Sequence, residues 1–414
     1  MVPIEITGLF PLFLFPLFGV LDIKDVATSY GNHLIFLFLG GFFLAKAIEV
    51  SGLAKKISLF FVSIFPKTPF FLLAGISFST FILSGWISNT AIAIISYTIA
   101  LSIFSGLSLE ENSNFRKILL ISIAYSASLG GILTPIGTPP NVIYLGVIEK
   151  VFGEKYVFSF VEWFKYSLPL AILIFVSMLL SFYILFVRKE KIDFKIDIES
   201  LKLDTYQKRV LVIFLLTALL WITRPLWQKF FYLKYLKDSG IAILCSFFLF
   251  IVHRDGNNPL PLLTWKEARK IPWGILFVFG GGLALADAFE KTGFTEFIAH
   301  FLENILFHFN PFIIILILVT FGVFFTEVTS NTASASLLLP VIAEFTKVIN
   351  LPPYFLMFPL TLSLSFAFML PSATPPNAII LGSGYVKVKD MAKIGFFMNI
   401  FVIIITSFYF YILR

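Results

Sequence analysis

The sequence predicts an all-α polytopic membrane protein built from two inverted-topology repeats, each with a re-entrant hairpin and a broken transmembrane helix. Three observations carry this. Hydrophobic residues form 58% of the 414-residue chain and charged residues only 13%, about half the 25% of an ordinary soluble domain. A tripeptide occurs twice, as Ser88-Asn89-Thr90 and Ser330-Asn331-Thr332. Each copy is followed by a second shared segment, Thr134-Pro135-Ile136-Gly137-Thr138-Pro139-Pro140-Asn141 and Leu370-Pro371-Ser372-Ala373-Thr374-Pro375-Pro376-Asn377. Polar, proline-broken stretches inside apolar sequence are expensive at membrane depth and mark functional regions. Matched pairs in two halves are the pattern of a transporter with its site at the repeat interface.

The elements follow in order. The apolar run at 8–21 reads as a retained span, because Met1 to Glu5 hold no basic region and no Ala-x-Ala site follows. Plain crossings are expected at 32–50, 163–187, 209–223, 238–252, 273–289 and 393–412. The runs 69–104 and 311–348 carry Ser-Asn-Thr near their middles. Each fits two half-depth helices joined at a tip, with a single tilted span as the competing reading. The crossings 115–149 and 354–384 are broken at Pro-Pro-Asn. The amphipathic segments 53–64 and 293–308 read as interfacial arm helices linking two domains.

The halves also align upstream, where Gly40-Gly41 through Gly52 matches Gly281-Gly282 through Gly293. The offset is 241 residues there, 242 at Ser-Asn-Thr and 236 at Thr-Pro-Pro-Asn. Three segments in one order at nearly one offset indicate an internal duplication. Repeat 1 is expected over 1–187, a linker and connecting helix over 188–237, and repeat 2 over 238–414.

Charge sets the expected orientation. Arg188, Lys189, Lys191, Lys195, Lys202, Lys208 and Arg209 crowd the linker, which places it in the cytoplasm. Counting outward puts Lys55, Lys56, Lys67, Arg116, Lys117, Arg254, Lys266, Arg269, Lys270, Lys387, Lys389 and Lys393 inside as well. Fewer fall outside, chiefly Lys150, Lys155, Arg224, Lys229, Lys234, Lys237 and Lys291. The N-terminus is then cytoplasmic, the C-terminus external, and the hairpins enter from opposite sides. The net charge of +7 reflects these loops rather than a nucleic-acid partner. Cys245 is the single cysteine and forms no internal disulfide. His33, His253, His300 and His308 are too scattered for a zinc site.

At a hairpin tip the first helix ends in free carbonyls and the second begins with free N–H groups. Ser and Asn are good N-caps. The carbonyl ends suit a cation and the N–H ends an anion. Proline in each broken crossing releases further carbonyls. Four helix breaks can thus form a cation-plus-anion site without a charged side chain. Neither signature contains Lys or Arg, so an anionic substrate would need bound cations, and symport is expected.

At these residues the chain resembles the divalent anion/sodium symporters, the dicarboxylate and citrate carriers of the ion-transporter superfamily. The doubled Ser-Asn-Thr is that family's hallmark, and the resemblance spans nearly the whole chain. It implies a homodimer in which a transport domain moves as an elevator against a scaffold. It implies a first sodium site from Ser84, Ser88, Asn89 and the Gly137 carbonyl, and a second from Thr326, Ser330, Asn331 and the Ala373 carbonyl. Substrate carboxylates would meet Asn89, Thr90, Thr138, Asn331, Thr332, Thr374 and Pro375. The two loops differ, with Thr134 standing where the second has Leu370.

Other polar residues have blander readings. Glu327 could carry a proton or aid the cation site, but a structural pairing or capping of backbone N–H groups is favoured. Lys46 and Asp287 hold equivalent positions with opposite charge, and snorkelling explains Lys46. Glu49 and Glu290 match across the repeats as parts of a shared turn. Trp86 is expected to pack the hairpin rather than touch substrate. The function expected is sodium-coupled import of a small dicarboxylate such as succinate, across a prokaryotic plasma membrane, with no cofactor beyond the co-transported sodium. The alternatives are a sodium-independent dicarboxylate exchanger or a permease for citrate, sulfate or another oxyanion. An open channel fits matched broken helices less well than alternating access. An enzyme is not expected, since the chain lacks His-Glu-x-x-His, a paired intramembrane Asp dyad and a Gly-x-Ser-x-Gly elbow.

Overall fold

The computed structural model describes residues 3–66, 68–105, 113–188, 201–230, 233, 235–256, 259–306, 309–349 and 351–413. Lys67, Lys189, Lys191, Lys195, Lys234 and His308, and with them most of the basic linker, lie outside the described residues. Those described are helical with short connections, and the sole β-feature among them is one isolated bridge, His253 to Pro261. Six helical stretches are long and apolar enough to cross a membrane: Ile23–Val50, Glu154–Val187, Thr205–Lys229, Trp273–Lys291, Pro311–Val328 and Val388–Ile412.

The run at 8–21, expected as one crossing, instead holds one short helix between turns. Helices α1 (Ile4–Thr7), α2 (Phe10–Leu17) and α3 (Ile23–Tyr30) are all short. The eight residues of α2 span about 12 Å, well short of a bilayer core near 30 Å. The chain then turns through Gly19, whose φ of 66° suits glycine. Tyr30 fastens this region by donating to the Gly8 carbonyl at 2.5 Å. Helix α4 (His33–Val50) starts at Asn32, whose side chain accepts from the Leu34 N–H at 2.8 Å.

Helix α5 (Leu53–Ile64) leads to α6 (Pro69–Ser84) and α7 (Asn89–Ser105), with Ser-Asn-Thr at their junction. Helices α8 (Asn114–Gly131) and α9 (Pro139–Phe152) are the two parts of the first broken helix. Helix α10 (Phe160–Phe182) opens on a capping box between Ser159 and Glu162 and ends in a π-helical turn, Tyr183–Val187. After the linker come α11 (Thr205–Phe230), α12 (Asp238–Ile251), the single turn α13 (Trp265–Ala268) and α14 (Trp273–Lys291). Helix α15 (Phe294–Leu306) precedes α16 (Pro311–Val328) and α17 (Asn331–Val348), again with Ser-Asn-Thr at the junction. Helices α18 (Pro353–Ser363) and α19 (Pro375–Gly382) flank the second break, and α20 (Val388–Ile412) follows.

The same local chemistry starts both hairpins. Thr68 caps α6 ahead of Pro69, and Asn310 caps α16 ahead of Pro311. Proline at the first helical position loses nothing, because that N–H has no helical partner. The arms have 16 to 18 residues, about 24–27 Å at 1.5 Å per residue, so they are longer than the half-depth helices expected.

Packing relies on small residues. A Cβ at Gly40 of α4 would meet Ala242 of α12 at 2.6 Å, so these two backbones run in close contact. The buried core is continuous and includes Trp163, Trp221, Tyr125 and Tyr144. Outward faces are apolar. On α11, Val212, Leu215, Leu219 and Ile222 are exposed, as lipid-facing positions should be.

Candidate functional site

Four helix N-termini meet at one cavity of about 520 Å³. They are the starts of α7 at Asn89, α9 at Pro139, α17 at Asn331 and α19 at Pro375. Both halves contribute the same set to the lining: Ser88, Asn89 and Thr90 with Gly137 and Thr138, then Ser330, Asn331 and Thr332 with Ala373, Thr374 and Pro375. Helix starts carry partial positive charge, and those of α7 and α17 also carry unpaired N–H groups, whereas α9 and α19 begin Pro-Pro and offer none at those positions. Four starts on one cavity make it a place for an anion. Among the described residues neither Lys nor Arg lines it, and the one ionisable lining residue is Glu5.

Behind each tripeptide lies a nest of oxygens. The Ser84 hydroxyl sits 2.7 Å from Asn89 Oδ1 and 2.7 Å from the Ala127 carbonyl. The Thr326 hydroxyl sits 2.6 Å from Asn331 Oδ1 and 3.0 Å from the Leu364 carbonyl. Both hydroxyl residues are fully buried, one helical turn before the motif's serine, and are absent from the cavity wall. Neutral oxygens gathered this way are the donor type that hard cations take.

Each broken helix is fastened by the asparagine that ends its Pro-Pro-Asn. The Asn141 amide donates to the Gly131 and Thr134 carbonyls at 3.0 and 2.8 Å. The Asn377 amide donates to the Ala367 and Leu370 carbonyls at 2.9 and 3.0 Å. Both side chains are fully buried. The sequence reading assigned these asparagines no role, although their place in a twice-used segment was a signal. It also missed Glu5, which lies ahead of the first apolar run and carries no motif.

The loops differ in what else holds them. Thr134 donates its hydroxyl to the Gly85 carbonyl, and the released Ile132 and Leu133 carbonyls are taken by Trp163 at 2.9 Å and Ser167 at 3.2 Å. In the second loop, Glu327 accepts from the N–H groups of Phe368, Met369 and Leu370 at 2.7, 2.8 and 2.9 Å. The capping reading of Glu327 is therefore the one observed. Tyr125 of α8 donates to the Phe368 carbonyl at 2.8 Å, which ties the two broken helices together.

Trp86 stacks on Phe160 and Trp221, with ring centroids 5.6 and 6.4 Å away, and also lines the cavity. Lys46 pairs with Glu49 at 2.5 Å. Asp287 pairs with Lys150 and accepts from Ser29 at 2.6 Å, so the two repeat-equivalent charges have separate partners.

The family described as the sodium:sulfate symporter transmembrane region matches residues 1–412. The sodium-dependent dicarboxylate transporter SdcS of Staphylococcus saprophyticus is 34% identical over 98% of this chain and 81% of its own length. SdcS of Staphylococcus aureus is 36% identical over 96% of this chain and 80% of its own. Among solved structures, the YdaH transporter of Alcanivorax borkumensis superposes with a TM-score of 0.67 at 11% identity, covering 98% of this chain and 97% of that one. MtrF of Neisseria gonorrhoeae gives 0.57 at 12% identity, covering 94% and 83%. With a fold shared by transporters and relatives matched over nearly its full length, this chain is a multi-pass membrane transporter, not an enzyme, and belongs to the sodium:sulfate symporter family.

Proposed function

We propose that the chain imports small dicarboxylates, most simply C4 acids such as succinate, by sodium symport. The observation that carries this is the cavity on which four helix N-termini converge without a lysine or arginine among its lining residues. Backbone N–H groups can hold carboxylates, but their partial charges do not neutralise a dianion. The two oxygen nests behind the tripeptides supply the remaining charge by binding sodium, one through Ser84, Ser88, Asn89 and Gly137, the other through Thr326, Ser330, Asn331 and Ala373. Asn89, Thr90, Thr138, Asn331, Thr332, Thr374 and Pro375 then meet the substrate. The SdcS relatives bear the name of sodium-dependent dicarboxylate transporters, which supports this choice of ion and substrate.

Access alternates by an elevator movement between two inverted repeats, 1–187 and 238–414, joined by a cytoplasmic linker and helix over 188–237. The hairpins and broken helices travel together, and α5 and α15 link them to a scaffold. The chain works as a homodimer in a prokaryotic plasma membrane with its N-terminus in the cytoplasm.

Radiolabelled succinate uptake into proteoliposomes tests the reading, with an inward sodium gradient and with choline in its place. Sodium-dependent uptake is expected. Uptake indifferent to sodium but stimulated by internal dicarboxylate would replace symport with exchange. No succinate uptake under any condition would move the substrate class to citrate, sulfate or another oxyanion.

A further inference from the structure

The two broken helices unwind to different extents. Helix α8 continues to Gly131, whereas α18 stops at Ser363, about one turn sooner when the Pro-Pro-Asn segments are aligned. Early unwinding leaves backbone N–H groups in the protein interior without helical partners, and each such group bears an uncompensated desolvation cost if nothing accepts from it. Glu327 is what accepts. It follows Thr326 at the end of α16, and its side chain is 3% exposed. Oε1 takes the Phe368 and Met369 N–H groups, Oε2 takes the Leu370 N–H, and the Asn399 amide of α20 donates to Oε1 at 2.7 Å. A carboxylate offers about four acceptor positions, and four donors converge here.

The first repeat has no counterpart. The position equivalent to Glu327 is Gly85, and α10 meets the first loop through Trp163 and Ser167, which serve carbonyls instead. Helix α20 also comes close to the loop, since a Cβ at Gly395 would collide with the Phe368 carbonyl. Glu327 therefore joins three elements at one point: the first arm of the second hairpin, the unwound loop and α20.

We propose that Glu327 is a positioning residue for the second cation site: by gathering the Phe368, Met369 and Leu370 N–H groups and the Asn399 amide, it holds the loop that carries the Ala373 carbonyl in register with Thr326 and Asn331. The carboxylate also brings a formal negative charge to the second site that the first site lacks, which favours a cation there. The inference rests on the sodium reading above. It adds that the two sites are unequal, with the second depending on a residue outside its own ligand set.

The test uses sodium alone as ligand. Purified full-length protein in detergent is melted over a sodium chloride series, with choline chloride holding ionic strength constant. A ligand that binds the folded state stabilises it by RT ln(1 + [L]/Kd), so fitting the series gives the half-saturating sodium concentration as that Kd. Glu327→Gln keeps the size but turns one acceptor oxygen into a donor facing the Leu370 N–H. The half-saturating sodium concentration is expected to rise about ten-fold, the scale of one lost charge-assisted hydrogen bond. Asn399→Leu removes a single donor and is expected to raise it about three-fold. A purely structural carboxylate would lower the melting temperature at zero sodium and leave half-saturation where it was, which would overturn the proposal. If Glu327→Gln does not fold, Asn399→Leu decides by the same criterion. Unaltered protein that sodium fails to stabilise beyond choline would bring down the sodium sites and this inference with them. Sodium that stabilises the unaltered protein and the variants at equal concentrations would remove the inference alone.

Discussion

The two hairpin tips use the same tripeptide but are seated differently. In the first, Trp86 is stacked against Phe160 and Trp221. In the second, the equivalent position is Val328, 72% exposed. The loops facing them diverge in the same way. The first is tied down by its carbonyls, through Trp163 and Ser167. The second is tied down by its N–H groups, through Glu327. The Ser-Asn-Thr and Thr-Pro positions in the cavity wall are matched, as are Asn141 and Asn377 behind them, while Trp86 and Val328 and the other groups that hold each loop are not. On the proposed reading, the matched part is the part that meets ligand, and the supports differ because several chemistries can brace a broken helix but few can present N–H groups and oxygens to an ion pair.

Substitution at the shared front should have the largest effect and should be symmetric. Asn89→Ala and Asn331→Ala are each expected to cut substrate uptake by about 100-fold, the scale of losing contacts worth ~2–3 kcal/mol to charged groups. Gel filtration and circular dichroism should show folded protein in both. Full uptake by either variant would break the equivalence of the two halves.

The supports should respond unequally. Trp86→Ala is expected to destabilise the protein by about 3 kcal/mol, as for other aromatic truncations in packed surroundings, and Val328→Ala by less than about 0.5 kcal/mol, as for exposed positions. Thermal unfolding of the two variants reads this directly, and equal shifts would mean that the tips are seated alike. Smaller and more even losses are expected from the buried clamps. Asn141→Ala and Asn377→Ala each leave two loop carbonyls without a donor, for a loss of about 1–3 kcal/mol. A fall in melting temperature at Asn141→Ala alone would show that the second loop is held chiefly by Glu327. A modest effect is expected at the Lys150–Asp287 pair, which is about one-quarter exposed at both partners. Asp287→Asn should cost about 1 kcal/mol, since solvent reaches both groups.

Much of this was legible in the sequence because broken helices in a bilayer need residues that ordinary spans avoid. Ser-Asn-Thr and Pro-Pro-Asn, each used twice, marked the segments whose four helix starts line the cavity, and Ser84 and Thr326 stand one turn before their motifs. The supports were harder to read. The offset drops from 242 at Ser-Asn-Thr to 236 at Pro-Pro-Asn, the trace of a shorter lead-in to the second break, but spacing alone does not say which N–H groups are released or what receives them. Glu327 was visible as an intramembrane carboxylate. Its partners are backbone groups some forty residues away, and backbone groups leave no pattern in a sequence. The segment at 8–21 was misread for a different reason. Its apolar composition suits a crossing, yet turns at Gly8-Leu9 and Phe18-Gly19 leave a single eight-residue helix between them, which the two glycines could have revealed.

The central claim is that a cavity lined by helix N-termini and no cationic side chain holds a dianion only when sodium occupies the oxygen nests. Equilibrium binding of labelled succinate to the purified protein, in sodium and in choline at equal ionic strength, tests this without requiring transport. The account predicts binding in sodium that weakens at least about ten-fold in choline, a difference of ~1.4 kcal/mol or more. Equal affinity in the two salts would contradict it.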